Sequence, residues 1–289
     1  GGYGKDIAMK GALYTDNGAA KLTVGLHKNS FNGRIETSGI NLGKIIDNAQ
    51  LGIIAAKLDA SGKAETGNLK IKANGKIDRL DYNQYSYHNI NINGIIQKQN
   101  HQMSFNGKLN INDPNGKLQL NGDFSNIGHY PKMNLTASIV KFNPHALKLT
   151  SKYPSTTFSL DVKANISGRN LNTANGIIVL NNFKMSSPNN NYELKELKLE
   201  AGQEDHKHVV TLQSDFAQMQ LVGHYSYATL PNSIANIIAS KLPTLPGLPH
   251  MKPTKDNEFV LQGEINKSDW LQKLFGVSLD LEQPAKLSV

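Results

Sequence analysis

The stretch MSFNGKLNINDPNGKLQLNGDF, residues 103–124, sets the narrowest limit on what this chain can fold into. Met103, Phe105, Leu109 and Ile111 alternate with Ser104, Lys108, Asn110 and Asn112, and Gly107 takes one place in the apolar series. Beyond Asp113-Pro114-Asn115-Gly116 the alternation resumes, with Leu118, Leu120, Gly122 and Phe124 against Lys117, Gln119, Asn121 and Asp123. A period of two describes a strand with one apolar and one wet face. Proline with its fixed φ, followed by glycine, suits a tight turn. The stretch therefore reads as a β-hairpin whose apolar side needs a cover.

The phrase apolar-x-apolar-x-Gly-x-apolar recurs along the chain. It appears at Ile7-Met9-Gly11-Leu13, Ile71-Ala73-Gly75-Ile77 and Ile90-Ile92-Gly94-Ile96. It returns at Met219-Leu221-Gly223-Tyr225 and Phe259-Leu261-Gly263-Ile265. Glycine in phase with the apolar residues permits a bend or the close approach of another backbone. A longer period lies above this one. ANG at 73–75 returns at 174–176, and LQLNG at 118–122 returns as MQLVG at 219–223, in both cases 101 residues on.

Short stretches of helical character break the strands: NLGKIIDN (41–48), FNPHALKL (142–149), NSIANIIASKL (232–242) and SDWLQKLF (268–275). The third sets Ile234, Ile237, Ile238 and Leu242 on one helical stripe, and the prolines of PTLPGLPHMKP follow it. That stripe is expected to form a rim or lid. The organisation read from these signals is one continuous segment over 1–289. It comprises a partial repeat 1–40, a repeat 41–141, a repeat 142–257 with an insert at 229–256, and a partial repeat 258–289.

Fixed-period repetition argues for an elongated architecture rather than a closed globule. The expected fold class is all-β, an elongated and curved antiparallel sheet of about 16 strands with a few short helical inserts. A sheet with one apolar face can bury it in a sandwich, in a barrel, or in a U-shaped β-groove whose walls face one another. Helical inserts and 7% aromatic residues without girdles argue against an outer-membrane barrel. The alternation by itself leaves sandwich and groove open.

Strand by strand, the apolar series expected to line such a groove begins with Leu69, Ile71 and Ile77, then Ile90, Ile92 and Ile96. The hairpin contributes Met103, Phe105, Leu109, Ile111, Leu118, Leu120 and Phe124, followed by Leu135 and Ile139. Phe158, Leu160, Val162 and Ile166 form the next series. Val210, Leu212, Met219, Leu221 and Tyr225 precede a last group of Phe259, Leu261 and Ile265.

The net charge of +8 comes from lysines such as Lys70, Lys72, Lys76, Lys108, Lys117 and Lys163, spaced along wet faces. Basic runs interleaved with aromatics are absent, so nucleic acid is not an expected partner. Without cysteine there is no disulfide framework and no thiolate metal site. His206 and His208 stand two apart, but GQEDHKH reads as a solvated connection, and no metal or cofactor is expected. G-x-S-x-G, H-E-x-x-H and phosphate-loop patterns do not occur, and no enzyme is expected. The abrupt Gly-Gly start and the uncapped end at PAKLSV suggest an interior piece of a longer protein.

Three stretches carry a family likeness: GINLGKIIDNAQLGIIAAKLDASGK (39–63), SLDVKANISGRNLNTANGIIVLNNFKM (159–185) and EFVLQGEINKSDWLQKLFGVSLDLEQPAKL (258–287). They resemble interior repeats of the TamB family (translocation and assembly module subunit). The resemblance implies an AsmA-like, repeating β-groove protein of the bridge-like lipid-transfer group. Its parent would be anchored in the inner membrane of a Gram-negative bacterium and would cross the periplasm. The groove would hold phospholipid acyl chains, and the parent would meet an outer-membrane barrel of the TamA/BamA type. Two other roles suit the same strands: an assembly factor that templates client β-strands, and a structural or adhesive repeat.

Overall fold

The structure is a computed structural model that describes residues 7–126, 131–169, 171–188, 190–241, 257–269, 273 and 281–288. Sixteen antiparallel strands form one open sheet in strict sequence order. Each strand thus pairs with its neighbour in the chain, as short connections between antiparallel strands favour. Two compact units are distinguished, one over 1–131 and 135–158, the other over 132–134 and 159–289.

The first unit holds β1 (Ile7–Thr15), β2 (Gly18–His27), β3 (Ser30–Asn41), a five-residue helix α1 (Leu42–Ile46) and β4 (Leu51–Glu65). It continues through β5 (Asn68–Tyr82), β6 (Tyr85–Gln99), β7 (Gln102–Asp113), β8 (Gly116–Ser125) and most of β9 (Lys132–Phe142). The hairpin read from residues 103–124 is β7–β8, closed at Asp113↔Gly116. Two-residue turns join most neighbours. At Asn83-Gln84 both φ angles are positive (49° and 64°), the left-handed pair that matches strand twist in tight hairpins.

The helical reading of 142–149 is corrected by the structure, which folds these residues as successive turns. Asn143 Oδ1 accepts from the Ala146 N–H, and Leu147 N–H bonds to the Asn143 carbonyl, so one helical turn begins. It does not propagate, because Lys148 takes a left-handed φ of 58°. The stretch 41–48 does contain α1, capped by the Asn41 side chain accepting from Lys44 N–H.

The second unit holds β10 (Thr157–Ser167), a 3-10 turn (Leu171–Thr173), β11 (Asn175–Ser187) and β12 (Asn190–Glu204). Then come β13 (Lys207–Ser214), β14 (Ala217–His224), α2 (Leu230–Lys241), β15 (Glu258–Ile265) and β16 (Ala285–Ser288). The expected helix at 268–275 lies largely outside the described residues.

Register decides where apolar side chains meet. Partner residues in an antiparallel pair share a face, so a row can be followed across strands. In the first unit one such row runs Leu22–Ile35–Leu58–Gly75–Ile92–Leu109–Leu120. The next holds Ala56, Ile77, Ile90, Ile111 and Leu118. Its buried centre is Ala56, Ile77 and Ile90, with Ile54, Leu80 and Tyr87 packed against it. Tyr87 and Ile90 meet there although three residues apart, because Asn89 between them adopts φ 53°. On the other side lies a row of small residues, Gly33, Ala60, Ala73, Gly94, Gly107 and Gly122. The rings of Phe31 and Phe105 lie over glycines here: Phe31 within 3 Å of a Cβ on Gly62, Phe105 likewise over Gly107.

Gly75 carries a particular burden. A Cβ there would come within 2.3 Å of the Lys57 carbonyl and 2.8 Å of the Leu58 Cα, whereas Gly11 on the same face has nothing within 4 Å. Gly75→Ala is expected to lower urea-unfolding stability by about 1–3 kcal/mol, since backbone must move. Gly11→Ala should change it by less than about 0.5 kcal/mol.

Candidate functional site

In the first unit the apolar face grades from buried to exposed across its rows. Ile77 and Ile90 retain 8% and 7% of their accessible surface. Three rows further along the strands the character reverses. Ile7, Leu26, Phe31, Gly62, Ile71, Ile96, Phe105 and Phe124 form one row by register, and Ile7, Leu26, Ile96, Phe105 and Phe124 are exposed. Met103, one step beyond Phe105 on the same face, keeps 47%. Met9, Leu13, Leu22 and Ile35, from β1–β3, are exposed as well. Monomers rarely leave contiguous apolar patches larger than a few hundred Å² uncovered, so this face is the candidate site.

Its buried end is tied shut by polar contacts. The Tyr87 hydroxyl donates to the Leu147 carbonyl at 2.9 Å, and Leu147 itself is 3% exposed. Tyr85 stacks edge-on against Tyr87, with ring centres 4.7 Å apart, and its hydroxyl donates to the Asp113 carboxylate. Asp113, almost wholly buried, also accepts from the His88 N–H at 3.0 Å and the Asn115 N–H at 2.9 Å. Asn115 Nδ2 donates to the Tyr85 hydroxyl at 2.9 Å. A buried carboxylate with three donors is well satisfied. Burial, followed by the hydrogen bond to Asp113, pushes the Tyr85 phenol up to about 12.

The wet face carries the lysines expected there. Arg34 forms a two-pronged pair with Asp59, at 2.6 and 3.0 Å, Lys76 pairs with Asp78, and Arg79 grips Asp81. Lys108 and Lys117 lie in register with Asn93 and Asn112, exposed and facing away from the apolar rows.

The second unit repeats the pattern on fewer strands. Val210, Leu221 and Leu261 form one row, Leu212, Met219 and Gly263 another, and Ala217 pairs with Ile265. His208, Gly223 and Phe259 make the row nearest the strand ends. Tyr225 follows, 5% exposed, with ring centres 5.1 Å from His208 and 6.2 Å from Phe259. Phe158, Leu160, Val162 and Ile166 are half-buried along β10, as are Leu135 and Ile139 along β9.

Each strand residue read from the sequence as groove-lining thus sits in a strand or directly after one, and register groups Ile71 to Phe124 on one face. Ile234 and Ile237 are half-buried on α2; the Ile238 side chain and Leu242 lie outside the described residues. His206 sits in the exposed turn before β13 and His208 inside the strand. Groups of three or more metal-binding side chains are absent among the described residues. Sequence reasoning passed over Leu22, Leu26, Phe31 and Ile35, which share the face through β2 and β3. The signal was there in the alternation, diluted by Ala20, Gly33 and Thr37 at positions of the same parity.

Set against known protein families, curated proteins and solved structures, the chain has no match.

Tyr85 yields a pH test. Its folded pKa lies above the usual tyrosine value of 10, so the folded state holds the proton longer than the unfolded chain. The stability this contributes is complete below pH about 10 and is lost as pH rises toward about 12. The melting temperature should fall over that window, and Tyr85→Phe should flatten part of the fall while lowering stability at pH 7 by about 1–2 kcal/mol.

Proposed function

We propose that the apolar face of this sheet holds the acyl chains of phospholipids while their headgroups stay in water. In this reading the chain is a non-enzymatic segment of a bridge-like lipid-transfer protein of the TamB type. The parent is anchored in the inner membrane and spans the periplasm of a Gram-negative bacterium. It passes phospholipid toward the outer membrane, with a TamA/BamA-type barrel as its partner there. The sheet supplies a U-shaped groove, and no cofactor or metal takes part.

One observation supports this reading above the others. Apolar side chains from eight consecutive strands, β1–β8, lie in register on one face, and those away from the Tyr87–Leu147 end stay exposed. At about 25 cal/mol per Å² of apolar surface, covering even a few hundred Å² contributes several kcal/mol. A long strip of apolar side chains suits a flexible hydrocarbon chain better than a shaped small molecule, for which orienting polar groups would be needed.

The test pairs two substitutions on one hairpin. Leu120 lies on the apolar face opposite Leu109, and Lys108 lies on the wet face opposite Asn93 and Asn121. Organic extraction of the purified protein, followed by mass spectrometry, should recover phospholipid. Leu120→Asp puts a charge where desolvation costs several kcal/mol, so occupancy should drop sharply. Lys108→Asp should leave occupancy unchanged and alter stability by less than about 0.5 kcal/mol. Circular dichroism of both variants separates lost binding from lost fold. A photo-crosslinking residue at 120 should capture lipid in cells, and one at 108 should not. Client peptides in place of lipid would instead support strand templating, and neither would leave a structural repeat.

A further inference from the structure

The first unit's apolar face has an inner and an outer row whose separation is the same on four successive strands. Six residues divide Ile77 from Ile71 on β5, Ile90 from Ile96 on β6, Ile111 from Phe105 on β7 and Leu118 from Phe124 on β8. At a rise of ~3.4 Å per residue the two rows lie ~20 Å apart. Beyond the inner row the strip is stopped. The next pair inward on that face is Asp113 and Gly116; Tyr85 bonds the carboxylate, and the Phe142 Cα lies 3.0 Å from where a Gly116 Cβ would stand. Beyond the outer row it is open, for the next series holds Leu69, Lys98 and Met103, and Met103 is 47% exposed.

Accessibility on β5–β8 therefore changes along the strands more than across them. Ile77 and Ile90 in the inner row are buried and Ile111 and Leu118 half-buried, whereas Ile96, Phe105 and Phe124 in the outer row are exposed. Across the strands, the row of small residues is filled at β6–β7, where Phe105 ring atoms lie 3.1 and 2.9 Å from the Cβ positions of Gly94 and Gly107. A single-tailed or two-tailed lipid carries a gradient of its own, from a hydrated head to a dry methyl end. A polar headgroup set in the inner row would forfeit its hydration, and a methyl end left at the outer row would stay wet. The two gradients match in one orientation only.

We infer that β7–β8 takes an acyl chain lengthwise along the strands, its ester end at Phe105 and Phe124 and its terminal methyl against Ile111 and Leu118. This rests on the lipid reading of the face and adds a direction and a length to it. Carbon–carbon bonds of ~1.5 Å set in a zigzag advance an extended chain by roughly 1.25 Å per methylene, so a strip of ~20 Å takes about 16 of them. A longer chain runs against Asp113 and Phe142 or leaves its surplus in water. The face thus selects by chain length, and the headgroup stays outside it.

The test is a molecular ruler on the purified wild-type chain. Phosphatidylcholines with a diazirine at the end of one acyl chain are presented in dodecyl maltoside micelles and irradiated, and labelled residues are located by peptide mass spectrometry. With the ester at the outer row, a chain of about 11 carbons should label Leu109 and Leu120, ~14 Å inward, and one of about 16 carbons should label Ile111 and Leu118. A probe with its diazirine beside the ester should label Met103, Phe105 and Phe124. Neighbouring rows are ~7 Å apart, beyond a contact reach of ~4.5 Å, so each probe should favour its own row roughly fivefold or more. Labels from both lengths at one row, or spread evenly over all rows, overturn the direction and the length while the groove reading stands. No label on the apolar face from any probe overturns both. The same ruler built on free fatty acids tells the two sources of an acyl chain apart. Row-by-row label from the fatty acids alone upholds the direction and the length and overturns phospholipid as the ligand.

Discussion

A sheet with a single apolar face lives or dies by cross-strand register. Side chains alternate with a period of two, so a slip of one residue in any strand would move its whole apolar series to the wet side. In the first unit the pairing couples eight strands in this way, and each row gains its character from the strand before it. The hydrophobic return is modest. Among the described residues no large side chain is fully buried, and the best-buried cluster centres on Ala56, Ile77 and Ile90. Stability must rest on the hydrogen-bonded ladder and on cross-strand pairs such as Leu109–Leu120 and Phe105–Phe124, each contributing a few tenths to about 1 kcal/mol. That makes close backbone approach at positions like Gly75 disproportionately important.

The two ends of the first unit's strands differ in chemistry. At one end, Asp113 binds a tyrosine hydroxyl and two backbone amides, and Tyr87 fastens the connection after β9 through Leu147. The Asp113 carboxylate and the Tyr85 and Tyr87 hydroxyls are all hydrogen-bonded there, and Ile77 and Ile90 beside them are buried. At the other end, Ile96, Phe105 and Phe124 remain in contact with solvent.

Alternation made β5–β8 readable from the sequence because almost every position of one parity is apolar or glycine. Ile71, Ile92, Leu109 and Leu120 fell into place on that basis alone. Three features escaped it. Asn89 turns β6 through a left-handed residue and β5 carries an extra residue, Asp78, against Ala55 and Ala56, so Tyr87 and Leu80 join a face that counting by twos does not assign to them. FNPHALKL has helical spacing, but the left-handed Lys148 confines it to turns. Lys98 interrupts the apolar series, and only register sets it at the edge of the apolar face. In each case backbone conformation or pairing, neither of which has a sequence period, decided the outcome.

Gradation of the face also bears on how a conduit would work. A diacyl lipid fully enclosed by protein would gain roughly 0.8 kcal/mol for each methylene removed from water. It gains about the same in a bilayer, so movement requires that groove and membrane hold it almost equally. A deep closed cavity packed tightly around the chains would make leaving slow, and a flat wet surface would make entering costly. Rows that pass from Ile77 and Ile90, nearly sealed, to Met103 and Phe105, 47% and 37% exposed, lie between those limits. Hydrocarbon can be shielded at the inner rows while exchange proceeds at the outer ones. Along one row, similar contacts contributed by successive strands would keep the energy level of such a path even, and an even path lets a ligand travel rather than stay.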